Sequence, residues 1–511
     1  MILGRSLARN ARLYPDKPAI VSAEGRSISH AVLNDRVKRL ANAFTAQGIV
    51  KGDKLAILAR NSPEYLEVYF AAGKIGAPLV PVNYQLKAAD IHFRLAHSDA
   101  RALVVDREFL PLLDRLPGAV SDALRGRVIA IEGDAGSLLS LDELINSASA
   151  TEPEVSVSPE DTLYIGYTSG TTGPSKGALI SHRAIVVGYL YKALDYRLGR
   201  RDVNLDPGPF WHSAPRDFAT LAIYLGGTCV VTRGFEAREF FELVERYKVT
   251  NSFMVPTMFQ QLTALEDGGD HDASSLRVLI SGGSPLPSAV KDRVVARFGP
   301  ILSEFYGATE TRIITNITAA ELAGRKRSVG RPIRDVEIRV LDEHGGDVPA
   351  GVVGEVHVRG PGLFSGYYKD PERTAKSHRG EWFSLGDMGR LDDDGYLYLV
   401  DRKQDMIISG GENIYPNDIE EVLLGFPGVK EAAVIGTPDQ TWGELVTAIV
   451  VPVAGATVLP QALIDFCGSR LPGYMKPRRV VFTDSLPRSP VGKVLRRELR
   501  EPYWRAQEAG I

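Results

Sequence analysis

The densest concentration of chemistry-bearing side chains lies in YTSGTTGPSKGALISH, residues 167–182. Thr168, Ser169, Thr171 and Thr172 bring hydroxyls, Gly170, Gly173 and Gly177 free the backbone, and Lys176 adds a positive charge. Glycines let a turn aim several N–H groups at one anion, hydroxyls add donors and a lysine supplies charge, a combination suited to a polyphosphate. The spacing is not that of a GxxxxGK[ST] loop, because Pro174 and Ser175 separate Gly173 from Lys176. The stretch follows a predicted strand, TLYIGYTS, and precedes a helical segment, where a flexible Ser/Gly linker is not expected.

Six further stretches carry polar or glycine-rich patterns: PFWH at 209–212, SGGSPLP at 281–287, EFYGATET at 304–311, WFSLGDMGRLDDDGYLYLVDR at 382–402, SGGENIYPNDIE at 409–420 and PRSPVGKVLRREL at 487–499. With the loop at 167–182, and in this order, they resemble the adenylate-forming superfamily of acyl-CoA synthetases, peptide-synthetase adenylation domains and beetle luciferases. The resemblance covers essentially the whole chain, and the last two stretches are similar to the acyl-CoA synthetase form.

The resemblance implies a two-step ligase. A carboxylate attacks the α-phosphate of Mg-ATP to give an acyl-adenylate and pyrophosphate, and the CoA thiol then displaces AMP. Positioning and charge neutralisation should dominate such chemistry. By resemblance, Thr168, Ser169, Gly170, Thr171, Thr172, Gly173 and Lys176 hold phosphate. Gly282, Gly283 and Ser284 approach the purine, with Ser284 standing where alanine is common. Glu304, Phe305, Tyr306, Gly307 and Thr309 line the adenosine, Tyr306 stacking on the base. Asp387 receives the ribose hydroxyls with Arg402 assisting, as suits an acceptor-only carboxylate facing a vicinal diol. Glu310 helps hold Mg2+, a hard cation that takes carboxylate and phosphate oxygens. Lys493 stabilises the charge that develops during adenylation.

The acyl site implied by the resemblance comprises Trp211, His212, Arg216, Phe218, Gly307 and Ala308. Aromatic walls suit an aromatic, cyclic or medium-chain acid. Arg216 either points inward to hold a second carboxylate or lies exposed, and Asp217 either meets a substrate amine or neutralises Arg216. Ser409, Gly410, Gly411 and Trp442 are the CoA residues, and Gln404, where the family has Asp or Lys, is the hinge about which a C-terminal domain rotates between the half-reactions. Two other readings remain open: a stand-alone adenylating enzyme that loads a carrier-protein thiol, and a nucleotide-binding protein without turnover.

Positioning these residues demands more than one folding unit, and 511 residues allow three or four. Short β-rich runs, KLAILA (54–59), ALVVD (102–106), TCVVT (228–232) and RVLISGG (277–283), alternate with helical patterns, which predicts an α/β fold with parallel, buried strands. From about Ser328, alternating strands with glycine turns predict a β-rich subdomain. The expected organisation is a large N-terminal domain over 1–402 and a small mobile α+β domain over 403–511. A formal charge of −3 offers no field for nucleic acid, and the apolar stretch Phe218–Val231 falls short of the ~20 residues of a membrane span. The N-terminus lacks a signal-peptide pattern and Cys229 and Cys467 form no CxxC pair, so a reducing cytoplasm is expected, with small-molecule partners and a homodimer left open.

Overall fold

A computed structural model describes residues 1–131, 138–168, 175–265, 271–488 and 494–508. The fold is mixed α/β, and the chain divides into two compact units, one of Met1–Val336 with Arg359–Lys376 and the other of Glu337–Val358 with Ser377–Ile511.

Two sheets organise the first unit. In one, strands Pro18–Ser22, Thr228–Val231, Val203–Leu205, Asn251–Met254, Val278–Ser281 and Leu302–Ala308 run parallel, and the antiparallel Arg312–Thr318 returns along Leu302–Ala308. In the other, Leu139–Ser140, Val128–Ile131, Ala100–Asp106, Lys54–Leu58, Leu79–Pro81 and Thr162–Thr168 are parallel, and Lys176–Ser181 is antiparallel at the edge. The apolar runs predict these strands because parallel strands are covered by helices on both faces and read as continuous hydrophobic stretches. Ala56, Ile57, Leu103, Val104 and Val105 are accordingly buried. The stripe Val37, Leu40, Ala41 and Phe44 is the buried face of helix His30–Ala46.

The second unit opens with the antiparallel pairing predicted by its alternating sequence. Trp382–Leu391 pairs with Gly354–Arg359 on one side and with Leu397–Arg402 on the other. A second sheet is built on the long pair Val429–Asp439 and Gly443–Pro452. Helices Pro416–Leu424 and Pro460–Gly468 cover it through Ile419, Leu423 and Leu463, against Val434, Val446 and Val450. The boundary expected at 402/403 falls inside this unit. Among the described residues no helix is long and apolar enough to cross a membrane.

Candidate active site

The helix expected after the stretch 167–182 begins at His182, and between it and the glycine-rich loop runs the strand Lys176–Ser181, which the sequence reading did not single out. Both edges of this strand find backbone partners. It pairs with Thr162–Thr168, and Leu179 N–H donates to the Gly366 carbonyl (2.9 Å) while Tyr368 N–H donates to that of Gly177 (2.7 Å). Thr168 and Lys176 are cross-strand partners. Ser169, Gly170, Thr171, Thr172 and Gly173 lie outside the described residues.

The same pairing brings Tyr367 to the end of the strand, where its hydroxyl donates to Glu310 Oε1 at 3.1 Å. Thr168 Oγ1 donates to that oxygen at 3.4 Å, and Lys176 Nζ lies 5.2 Å from the centre of the Tyr367 ring. Burial and the adjacent carboxylate push the Tyr367 phenol well above its usual range, so it stays a donor. Tyr367 has no place in the motifs read from the sequence. A Mg2+ ion keeps much of its shell as water and phosphate oxygens, so a single carboxylate among hydroxyls suits it. Among the described residues no cluster of three or more His, Cys, Asp and Glu forms a protein-built cage.

The loop ahead of Glu310 depends on two close approaches. A Cβ on Gly307 would lie 1.9 Å from the Arg312 carbonyl oxygen, and one on Gly166 would lie 2.6 Å from Thr309 Cγ2. The strand Leu302–Ala308 bulges between Tyr306 and Gly307, where the register to the next strand shifts. Gly282 packs against Phe305, whose ring a Cβ would meet at 2.7 Å, and Gly283 has φ +85°, so the SGGSP turn needs both glycines ahead of Ser284. Glu304 is 3% exposed, ion-paired to Lys291 at 2.5 Å and accepting from Leu286 N–H at 3.3 Å, so its carboxylate braces this turn from inside. Burial pushes its pKa up.

Trp211 and His212 stand half-buried ahead of helix Ser213–Tyr224. Asn61, unmarked in the sequence reading, fixes their turn by donating to the Gly208 carbonyl (2.9 Å) and accepting from Phe210 N–H (2.7 Å). Ser213 Oγ lies 3.2 Å from Thr309 Oγ1, linking the start of the helix to the loop that also carries Ala308. Phe218 is 1% exposed, stacked 5.4 Å from Phe253, and presents no surface. Arg216 is wholly buried, correcting the exposed alternative. Its guanidinium lies 4.0 Å from the Tyr164 ring centre, and Nη1 donates to the Phe210 carbonyl at 3.2 Å. Asp217 is 2.7 Å from Arg312 and 3.9 Å from Arg216, so its principal partner is an arginine the sequence reading passed over.

In the second unit, Asp387 and Arg402 are paired across adjacent strands, with Arg402 Nε 3.3 Å from Asp387 Oδ1. The Gln404 carbonyl accepts from Arg500 Nη1 at 3.2 Å. Arg496 ties Asp401, Asn417 and Glu420 together, reaching Asn417 Oδ1 at 2.7 Å and Glu420 Oε2 at 2.8 Å. Burial pushes Asp401 up to about 6. Ser409, Gly410 and Gly411 form the turn between Ile407–Ser409 and Glu412–Ile414, with φ +61° and +85° at the glycines. A Cβ on Gly410 would lie 2.9 Å from Trp442 Cε3. Trp442 is 38% exposed rather than core, with the Arg478 guanidinium 4.0 Å from its ring centre. Lys493 lies outside the described residues.

Residues 7–368 match the model of the AMP-binding enzyme family and residues 418–493 that of the AMP-binding enzyme C-terminal domain. Feruloyl-CoA synthase from Amycolatopsis sp. is 36% identical over 98% of this chain and 99% of its own length. Long-chain-fatty-acid–CoA ligase FadD13 from Mycobacterium tuberculosis is 35% identical over 98% of each. The crystal structure of anthranilate CoA ligase AuaEII in complex with anthranoyl-AMP superposes with a TM-score of 0.91 at 27% identity, over 99% of this chain and 98% of that one. The chain belongs to the AMP-binding enzyme family, on its acyl-CoA ligase branch, a class of AMP-forming acid–thiol ligases.

Proposed function

We propose that this chain joins an aromatic, cyclic or medium-chain carboxylic acid to CoA through an acyl-adenylate. The observation that carries the reading is the Glu310 carboxylate, buried beneath the Thr168 and Tyr367 hydroxyls at the end of the strand leading into the glycine-rich loop. A carboxylate substrate is a weak electrophile without a usable leaving group, and transfer to AMP provides one. Glu310 meets the Mg2+ of Mg-ATP there, while Thr168, Lys176 and the loop residues between them hold its phosphates. Lys493 neutralises charge as the acid attacks the α-phosphate with loss of pyrophosphate, and the CoA thiol then expels AMP. Asp387 and Arg402 hold the ribose, Tyr306 the adenine, and Ser409, Gly410, Gly411 and Trp442 the CoA. The movement between half-reactions turns at Gln404, with 403–511 as the moving part, a division supported by the separate family match over 418–493.

The acid class rests on this chain's own residues, because the relatives' names span feruloyl and long-chain acyl groups. Trp211 and His212 stand beside Thr309 through Ser213 and offer flat, partly apolar walls. Arg216 has no surface to offer a second carboxylate, so monocarboxylic acids are favoured. The test is pyrophosphate release from Mg-ATP across short, medium, long, aromatic and dicarboxylic acids, with and without CoA, with the thioester followed by mass. Acid-dependent pyrophosphate with CoA-dependent acyl-CoA from aromatic, cyclic or medium-chain acids is expected. Thioester formed only on a carrier protein would move the acceptor, and equal activity on acetate and larger acids would overturn the acid class.

A further inference from the structure

Arg312 stands two residues after Glu310 with φ +61°, a left-handed conformation that strains any residue bearing a Cβ. Its side chain is 4% exposed, so the same residue also carries a buried charge. Both costs fall beside the loop of Thr309 and Glu310, and the hydrogen bonds of the guanidinium account for where they are spent. Nη2 donates to the Thr309 carbonyl at 2.7 Å, and Nη1 donates to Tyr164 OH at 2.6 Å and to Asp217 Oδ2 at 2.7 Å.

These acceptors lie on three separate elements. Tyr164 belongs to the strand Thr162–Thr168, whose last residue touches Glu310. Thr309 belongs to the loop, and Asp217 to the helix Ser213–Tyr224 that begins beside Trp211 and His212. Asp217 is itself 2% exposed and lies 3.6 Å from Lys192 as well. Both Nη atoms are engaged within the protein, which argues against Arg312 as an anchor for a substrate anion.

We propose that Arg312 and Asp217 are positioning residues for adenylation: the buried pair holds the Thr309–Glu310 loop against the Thr168 strand on one side and the Trp211–His212 helix on the other. The inference rests on the functional reading above, in which Glu310 and Thr168 meet Mg-ATP and Trp211 and His212 meet the acid. A fork donating in three directions is not reproduced by a lysine, whose ammonium is a single point of charge. Glycine at 312 accommodates the left-handed backbone and removes the clamp, leaving Lys192 as the remaining charge beside Asp217.

The experiment compares wild type, Arg312→Lys, Arg312→Gly and Asp217→Asn in the full-length chain by two readouts. One is the steady-state kinetics of acid-dependent pyrophosphate release, and the other is amide hydrogen exchange over 306–312. Both Arg312 variants are expected to lose about 10- to 100-fold in kcat, as small misplacements of a reacting geometry do, with KM for ATP changed by no more than roughly threefold. Exchange over 306–312 is expected to quicken in both. Asp217→Asn, where it folds, should show the same kcat loss, and combining it with Arg312→Gly should add little. Wild-type kcat in both Arg312 variants, or unchanged exchange over 306–312, overturns the proposal. A wild-type protein that releases no pyrophosphate with any acid overturns the functional reading instead, and the exchange readout still decides whether the pair clamps the loop.

Discussion

Asp387 and Arg402 occupy opposite positions on two antiparallel strands, and the arginine Nε lies 3.3 Å from the carboxylate Oδ1. The turn between these strands brings the two residues together, and the Asp387 side chain is 12% exposed against 37% for Arg402. In the proposed ribose site the more buried Asp387 would accept the specific hydrogen bonds, and Arg402 would restrain it from the solvent side. Asp387→Ala is expected to raise KM for ATP by about 10- to 100-fold, the loss of a hydrogen bond to a charged group at about 1.5–3 kcal/mol. Arg402→Ala should raise it by no more than about fivefold, because a pair this exposed is worth ~0–1 kcal/mol. Saturation curves for ATP decide the order, and an equal loss in both variants would contradict it.

Glu310→Gln keeps the shape of the side chain and removes its charge. The Mg2+ concentration giving half the maximal rate should rise, with kcat falling about 100-fold. Tyr367→Phe removes one of two hydroxyl donors to the same oxygen, and its loss should be several-fold smaller. A Mg2+ titration of the three proteins is the measurement, and a Glu310→Gln enzyme with an unaltered Mg2+ requirement would remove Glu310 from that role.

Two buried histidines set an acid limit on the first unit. His30 Nε2 faces the Gly227 carbonyl at 3.1 Å and His182 Nδ1 accepts from Leu3 N–H at 3.4 Å, and burial pushes both down to about 4. The unfolded chain, titrating near 6.5, binds more protons between those values, so stability rises with pH across the window. The contribution is full above about 6.5 and is lost as pH falls toward 4. Melting temperature should drop through that interval, and His182→Gln should flatten the drop. A profile of unchanged steepness in that variant would contradict the assignment.

Lys493→Ala separates the half-reactions. Pyrophosphate formation should fall about 100- to 1,000-fold, the loss of a cation placed where charge develops. Conversion of a synthetic acyl-adenylate and CoA to acyl-CoA should remain near the wild-type rate. Equal losses in both assays would make Lys493 a structural residue rather than a participant in adenylation.

Much of the fold is legible in the sequence because parallel strands announce themselves as apolar runs, as KLAILA and ALVVD do for Lys54–Leu58 and Ala100–Asp106. The strand Lys176–Ser181 is not legible, since its second partner comes from residues 366–368, far along the chain. The same distance hides Tyr367. Arg216 and Asp217 show the other limit. Charged residues read as exposed by default, yet these sit on a helix whose neighbours Phe218, Ala219 and Leu221 are buried on every side. Only tertiary structure brings Asp217 to Arg312, across 95 residues.

The most direct test of acyl-adenylate formation uses an acid labelled with 18O in its carboxylate, turned over with Mg-ATP and CoA. Attack of the carboxylate on the α-phosphate followed by thiol displacement leaves one of the acid's oxygens in AMP, so the account predicts one 18O per AMP formed and none in pyrophosphate. Unlabelled AMP, or label appearing in orthophosphate alongside ADP, would contradict it.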